Sequence, residues 1–246
     1  MFEIYPAIDI RHGKVVRLQE GDPSRQTVFD DDPVAVARRW ATAGARWLHI
    51  VNLDGAFDEA SQAAVEFDAL LEALCQVGPR VQFGGGLRSL ARIEAVLSAG
   101  VSRVVLGTVA VEQPQLVRDG VNRFGSSAIA VGLDTRGGRV RVRGWQADGG
   151  LMAVELGRQM KAMGIELVIH TDIAQDGLLS GVNAQVSAEL AQATGLRVIA
   201  SGGVAGWEDI RRVRQAGLAG VIIGRALYEG RISLKEAIAY DSDRGL

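Results

Sequence analysis

The chain repeats itself. The stretch Ala7-Ile8-Asp9-Ile10-Arg11-His12-Gly13-Lys14-Val15-Val16-Arg17-Leu18 has a partner in Gly132-Leu133-Asp134-Thr135-Arg136-Gly137-Gly138-Arg139-Val140-Arg141-Val142. Asp9 matches Asp134, Gly13 matches Gly138 and Val15 matches Val140, each 125 residues on. Gly86, Gly100 and Gly107 match Gly203, Gly217 and Gly224 at an offset of 117, and the segment from Gly44 matches that from Gly164 at 120. A fold compatible with this chain must be divisible into two equivalent halves, here about 1–124 and 125–246.

Within each half, short β-branched runs alternate with helical stretches, the pattern of βαβ units and a parallel sheet. Eight strands are expected, at about 3–9, 46–52, 80–84, 103–106, 127–133, 166–171, 197–200 and 220–223. Asp32-Pro33 offers an N-cap followed by proline at the first helical position. Ser89 can cap the stretch 90–99, Glu112-Gln113-Pro114 opens the next helix, and Trp207-Glu208-Asp209 puts acids in a first turn. Gly44, Gly100, Gly164 and Gly217 each close a helix just before a strand, as left-handed C-cap glycines do. Two four-strand halves close into a single α/β (β/α)₈ TIM barrel covering 1–246, near the ~250 residues usual for that fold. A doubly wound sheet would not require the duplication, and no G-x-G-x-x-G follows the first strand.

Composition narrows the setting. A net charge of −2 gives no case for nucleic acid or an anionic membrane surface, and no apolar run approaches a spanning length. Cys75 is the single cysteine, which excludes an intrachain disulfide and points to a reducing, cytoplasmic compartment. Met1 runs into strand-like Phe2-Glu3-Ile4-Tyr5 with no signal-peptide pattern. Thirty-one of the 246 residues are glycine, well above the usual ~7%, and no collagen period accounts for them.

In this barrel the site lies at the C-terminal ends of the strands. Asp9 and Asp134 end the first and fifth strands, on opposite sides of the mouth. A single aspartate there could be a turn cap; two at equivalent ends suit a base and an acid held in different environments. Glycines form the second group. Gly84-Gly85-Gly86-Leu87-Arg88 and Gly107-Thr108 follow the third and fourth strands; Ser201-Gly202-Gly203 and Gly224-Arg225 follow the seventh and eighth. Each can be a tight turn, but glycine also lets backbone N–H groups and a helix N-terminus approach a phosphate. Two such sets imply a ligand anionic at both ends and centred over the aspartates. Thr171 ends the sixth strand, and Asp176 is either structural or a second candidate acid. Arg17, Arg143 and Trp145 fall on the long first and fifth connections, which are lid candidates; Trp145 could stack on a flat ring or pack its own loop. His12, His49 and His170 show no metal-ligand spacing, and a hydrogen-bonded structural role is expected for His49 and His170.

Pro6-Ala7-Ile8-Asp9, Val16-Arg17-Leu18, Gly84-Gly85-Gly86-Leu87-Arg88, Gly132-Leu133-Asp134, Arg143-Gly144-Trp145, Thr171-Asp172-Ile173-Ala174-Gln175-Asp176-Gly177 and Ala200-Ser201-Gly202-Gly203-Val204 together resemble the phosphoribosylformimino-aminoimidazole carboxamide ribotide (ProFAR) isomerase family of histidine biosynthesis. The likeness continues to Gly224-Arg225-Ala226-Leu227-Tyr228 and so covers nearly the whole chain. It implies a cofactor-free, metal-free Amadori rearrangement of a bisphosphorylated aminoaldose, ProFAR, to the aminoketose PRFAR, by a cytoplasmic monomer. It also implies Asp9 as proton acceptor, Asp134 as proton donor with Asp176 as the competing donor, and Thr171 assisting by hydrogen bonding. Arg17, Arg143 and Trp145 would hold substrate from the lids. Gly85, Gly86, Arg88, Gly107, Thr108, Gly202, Gly203, Gly224 and Arg225 would serve the phosphates. Asn52 stands where the family often has aspartate, with a possible effect on substrate orientation, and Leu178 where threonine is common. Three rivals remain. A dual-specificity isomerase would also accept phosphoribosylanthranilate of tryptophan biosynthesis. The sister cyclase usually reads cysteine-leucine-aspartate in its first strand, against Ala7-Ile8-Asp9 here. A non-catalytic phosphosugar-binding barrel would have no need of paired aspartates.

Overall fold

A computed structural model of the chain describes residues 2–57 and 63–242. Its strands, in order, are β1 (Glu3–Arg11), β2 (Lys14–Gln19), β3 (Asp22–Asp30), β4 (Trp47–Asn52), β5 (Arg80–Gly84), β6 (Arg103–Leu106), β7 (Ile129–Arg136), β8 (Arg139–Val142), β9 (Ala147–Met152), β10 (Leu167–Asp172), β11 (Arg197–Ser201) and β12 (Gly220–Ile223). Eight of them, β1, β4, β5, β6, β7, β10, β11 and β12, pair in parallel in that order. The β7–β10 pairing closes the ring. With helices between successive strands, this is the (β/α)₈ barrel expected.

Strand alternation divides the apolar residues between two layers. Tyr5, Ala7, Trp47, Ala130, Leu167, Ile169, Ile199 and Ile222 fill the barrel interior. Their neighbours Ile4, Ile8, Ile10, Leu48, Ile50, Val168 and Val198 face the helices and join the larger outer core. The helix signals act as read. Asp32 accepts from the backbone N–H of Val34 and Ala35, and Ser89 from that of Arg92. Gly44, Gly100, Gly164 and Gly217 all take positive φ just past a helix end.

The first and fifth connections differ from the expectation of long loops. Each folds into a β-hairpin, so Arg17 lies on β2, while Arg143 and Trp145 sit in the turn joining β8 to β9. The cause is local. His12-Gly13 and Gly137-Gly138 have φ of +50° and +74°, and +59° and +77°. Two adjacent left-handed residues make the type I′ turn whose twist matches paired strands. Arg11 then pairs with Lys14 and Arg136 with Arg139, and the β-branched runs after each turn extend the sheet above the barrel mouth.

His170 has the structural role expected of it. It points outward from β10, with Nε2 3.0 Å from Thr135 Oγ1 and Nδ1 2.8 Å from Ser187 Oγ, tying β7, β10 and the helix Ala184–Thr194 together. Burial pushes the ring from the usual 6.5 to about 4. The folded protein stays neutral where the unfolded chain takes up a proton. This contribution to stability is therefore complete above pH 6.5 and lost as pH falls towards 4. In urea unfolding, the wild type is expected to lose about 3 kcal/mol of stability relative to His170→Asn as pH falls from 6.5 to 4. A difference that does not change with pH would contradict this.

Candidate active site

Side chains of β1 point alternately into and out of the barrel, so Ala7 and Asp9 face inward while Ile8 and Ile10 are buried outside. The same parity on β7 turns Gly132 and Asp134 to the interior. The two carboxyls lie at the mouth of one cavity and meet different partners. Arg17, on the antiparallel strand beside β1, forms a short ion pair through Nη1 with Asp9 and donates from Nη2 to Ala7 O at 2.9 Å. Trp145 reaches down from the β8–β9 turn and donates Nε1–H to Asp134 at 2.8 Å. Thr171, paired in register with Asp134, is the other hydrogen-bond partner of that carboxyl.

Burial raises both carboxyls above the usual range. At Asp9 it is opposed by Arg17, and at Asp134 by the hydrogen bonds of Trp145 and Thr171. Asp176, in the turn after β10, is raised as well. Burial first, then the charges of Asp9 and Asp134, outweigh Arg17 and carry it to about 7. A carboxylic acid at that value can hold a proton and release it near neutral pH. Its turn is pinned beneath the first hairpin: Glu20 N–H donates to Asp176 O at 3.1 Å, and a Cβ on Gly177 would stand 2.5 Å from Leu18 O.

The glycine loops reproduce one another across the mouth. Gly85 has φ +106° and Gly202 has φ +90°. A Cβ on Gly85 would lie 2.1 Å from Asn52 O, and one on Gly202 2.8 Å from Asp172 O. Gly107 (φ −96°, ψ −100°) and Gly224 (φ −108°, ψ −102°) each precede a short helix, Thr108–Glu112 and Arg225–Tyr228. A Cβ on Gly224 would lie 2.5 Å from the Arg17 guanidinium, so glycine there leaves Arg17 the space to reach Asp9. Around them, Arg88 reaches Gly55 O at 3.4 Å, and Arg225 reaches Gly177 O at 2.8 Å and Glu229. Arg143 donates its backbone N–H to Thr108 Oγ1 at 2.9 Å and pairs with Glu112 at 2.7 Å.

All sixteen residues singled out in the sequence line this one cavity. Asn52 does not: its side chain accepts from Gly55 N–H at 3.1 Å and caps a short helix, so the expected influence on substrate orientation has no contact behind it. Sequence reasoning missed three neighbours. Tyr228 lies under the Arg17 guanidinium, 5.6 Å from ring centroid to Cζ, and its hydroxyl donates to Ala7 O at 2.8 Å. Its only signal was its place one helical turn after Gly224. His49 and Arg141 line the cavity itself. The inward parity of His49 with Trp47 and Val51 was available in the sequence, whereas Arg141 reads as an ordinary hairpin charge. Among the described residues no group of three or more His, Cys, Asp or Glu could hold a metal ion.

A family model described as "Histidine biosynthesis protein" matches residues 3–233. A protein of Symbiobacterium thermophilum is 49% identical over 240 residues, covering 96% of each chain. One of Moorella thermoacetica is 45% identical over 243 residues, 98% of each chain. One of Dinoroseobacter shibae is 46% identical over 242 residues, 98% of this chain and 99% of its own. All three are named 1-(5-phosphoribosyl)-5-((5-phosphoribosylamino)methylideneamino) imidazole-4-carboxamide isomerase. On the extent and identity of these matches, the chain belongs to the histidine biosynthesis protein family.

Proposed function

We propose that the chain is the aldose–ketose isomerase that converts ProFAR to PRFAR in histidine biosynthesis, by acid–base catalysis without a cofactor. One observation carries the reading: three carboxyls of unlike environment sit between two matching glycine loops in a single cavity. A substrate with a phosphate at each end and a sugar in the middle has that outline. The relatives' shared name supplies the reaction.

The acid protonates the ribose ring oxygen, the C1–O bond breaks, and a protonated Schiff base forms between C1 and nitrogen. Asp9 then removes the C2 proton. The C–H electrons form the C1=C2 bond while nitrogen takes up the iminium pair. Loss of the C2 hydroxyl proton and protonation of C1 give the aminoketose. For the acid the choice lies between Asp134 and Asp176, and we favour Asp176. Burial and the charges of Asp9 and Asp134 carry it to about 7, so it can hold a proton near neutrality, while at Asp134 the hydrogen bonds of Trp145 and Thr171 oppose the rise that burial causes. Gly85, Gly86, Arg88, Gly107 and Thr108 would bind one phosphate, and Gly202, Gly203, Gly224 and Arg225 the other. Arg17, Arg143 and Trp145 would order the lids over the substrate.

The proposal extends to a monomeric, cytoplasmic enzyme built of two half-barrels, about 1–124 and 125–246. It includes no nucleic-acid or membrane partner; no helix among the described residues is long and apolar enough to cross a membrane. Steady-state turnover of ProFAR, with phosphoribosylanthranilate as the comparison substrate, tests the assignment. Turnover of ProFAR is the expected result, and its absence would refute the reading.

Asp9→Asn is expected to lower kcat by ~10²–10⁴-fold while equilibrium binding of ProFAR persists. Near-normal kcat would remove Asp9 from the base role. The wild-type kcat/KM should decline as pH rises through about 7, because Asp176 must carry a proton to act as the acid. Asp176→Asn should block ring opening in single-turnover experiments, while Asp134→Asn retains it; the reverse outcome makes Asp134 the acid. Gly224→Ala should lower the thermal unfolding temperature, since the guanidinium must leave its largely buried partner Asp9. Displacing Arg17 from Asp9 should also lower kcat/KM, of order 10²-fold. Full activity would show that the Arg17 position is immaterial.

A further inference from the structure

Arg103, Gln82 and His49 form a line of hydrogen bonds that climbs inside the barrel to the cavity floor. They occupy neighbouring strands: Gln82 pairs in register with Arg103, and His49 with Gln82. Arg103 Nη1 donates to Gln82 Oε1 at 3.0 Å, and Gln82 Nε2 lies 3.0 Å from His49 Nδ1. The Arg103 guanidinium is itself fixed, with Cζ 4.4 Å from the centroid of the Trp47 ring. Gln82 is completely buried.

Each link constrains the next. A guanidinium has donors and no acceptor. The oxygen of the Gln82 amide must therefore face Arg103, and its NH₂ must face His49. Nδ1 of His49 then accepts, which it can do only without a proton. Burial, then the neighbouring Arg17 charge, hold the ring pKa down at about 3, so it is neutral at neutral pH. The one proton of the neutral imidazole resides on Nε2. No other described residue hydrogen-bonds to the ring, which lines the cavity one pleat below Asp9, beside Ala7.

We propose that His49 presents a fixed, neutral Nε2–H to a ribose oxygen of the bound substrate, and that Gln82 and Arg103 are positioning residues that lock this tautomer. The substrate named here rests on the isomerase reading; the tautomer does not. A neutral imidazole suits this floor, where a second full positive charge would stand against Arg17. A donor already aimed at the reacting sugar needs no reorganisation when charge shifts there.

The test combines long-range proton–nitrogen NMR of the ¹⁵N-histidine-labelled full chain with kinetics on ProFAR. The His49 signals are those lost in His49→Gln. In the wild type, Nε2 should carry the proton and Nδ1 should be bare. Gln82→Glu places an acceptor-only carboxylate between Arg103 and Nδ1. It should draw the proton to Nδ1 and lower kcat about 10²-fold with KM little changed. If that variant does not fold, Gln82→Met serves, with kcat falling in step with the lost Nε2–H population. His49→Leu should show the same loss of kcat, with partial recovery in His49→Gln, whose amide can donate. A wild-type ring protonated at Nδ1, a variant with the proton moved and kcat unchanged, or wild-type kcat in His49→Leu would each overturn the proposal. A wild type with the expected tautomer but no turnover of ProFAR would overturn the isomerase reading instead.

Discussion

Asp9 and Arg17 meet as a largely buried ion pair, and much of the barrel mouth is arranged around it. The guanidinium also binds Ala7 O and lies over the Tyr228 ring, whose hydroxyl shares that same carbonyl. It occupies the space that any side chain on residue 224 would fill. A buried charge without its partner is costly, by about 3–5 kcal/mol in typical proteins. The first hairpin therefore cannot drift from β1 without exposing or neutralising both groups. The turn between β2 and β3 extends the constraint to the turn of Asp176 through the Glu20 backbone. Position and ionisation at the mouth are thus one problem with one solution.

The repeated stretches of sequence put matching residues at strand ends on opposite sides of the mouth, and the side chains then make the two sides unequal. The proposed base faces a cation, while Asp134 faces the neutral donors Trp145 and Thr171. The third carboxyl, Asp176, has no counterpart in the first half, where Ala56 stands at an offset of 120. Asn52 and Asp172, which correspond at an offset of 120, keep the cap. Each accepts from a backbone N–H of its own turn, and each is approached closely by the glycine loop of the next strand. The backbone geometry tolerates glycine alone at those approaches, which is why the loops kept their letters while neighbouring side chains diverged.

The barrel was legible because its cues are local and repeated: strand periodicity, Asp32 and Ser89 as caps, and glycines just past helix ends. Asp9, Asp134 and the glycine loops were legible because duplication marks them twice. The hairpins were harder. Their I′ turns are carried by His12-Gly13 and Gly137-Gly138, and a polar stretch with glycines reads equally well as a loop. Tyr228 was not visible, because its contact with Ala7 spans 221 residues of sequence. His49 was half visible: its hydrogen bond to Gln82 was expected in kind, but its exposure to the cavity depends on which face of β4 turns inward.

The two glycine loops are proposed as equivalent anion sites flanking the carboxyls. The most direct measurement is a crystal structure of Asp9→Asn with the bisphosphate product bound. The account predicts one phosphate against Gly86 and Thr108, the other against Gly203 and Gly224, and the sugar carbon next to residue 9. Two phosphates on the same side of the mouth, or one held outside both loops, would contradict it.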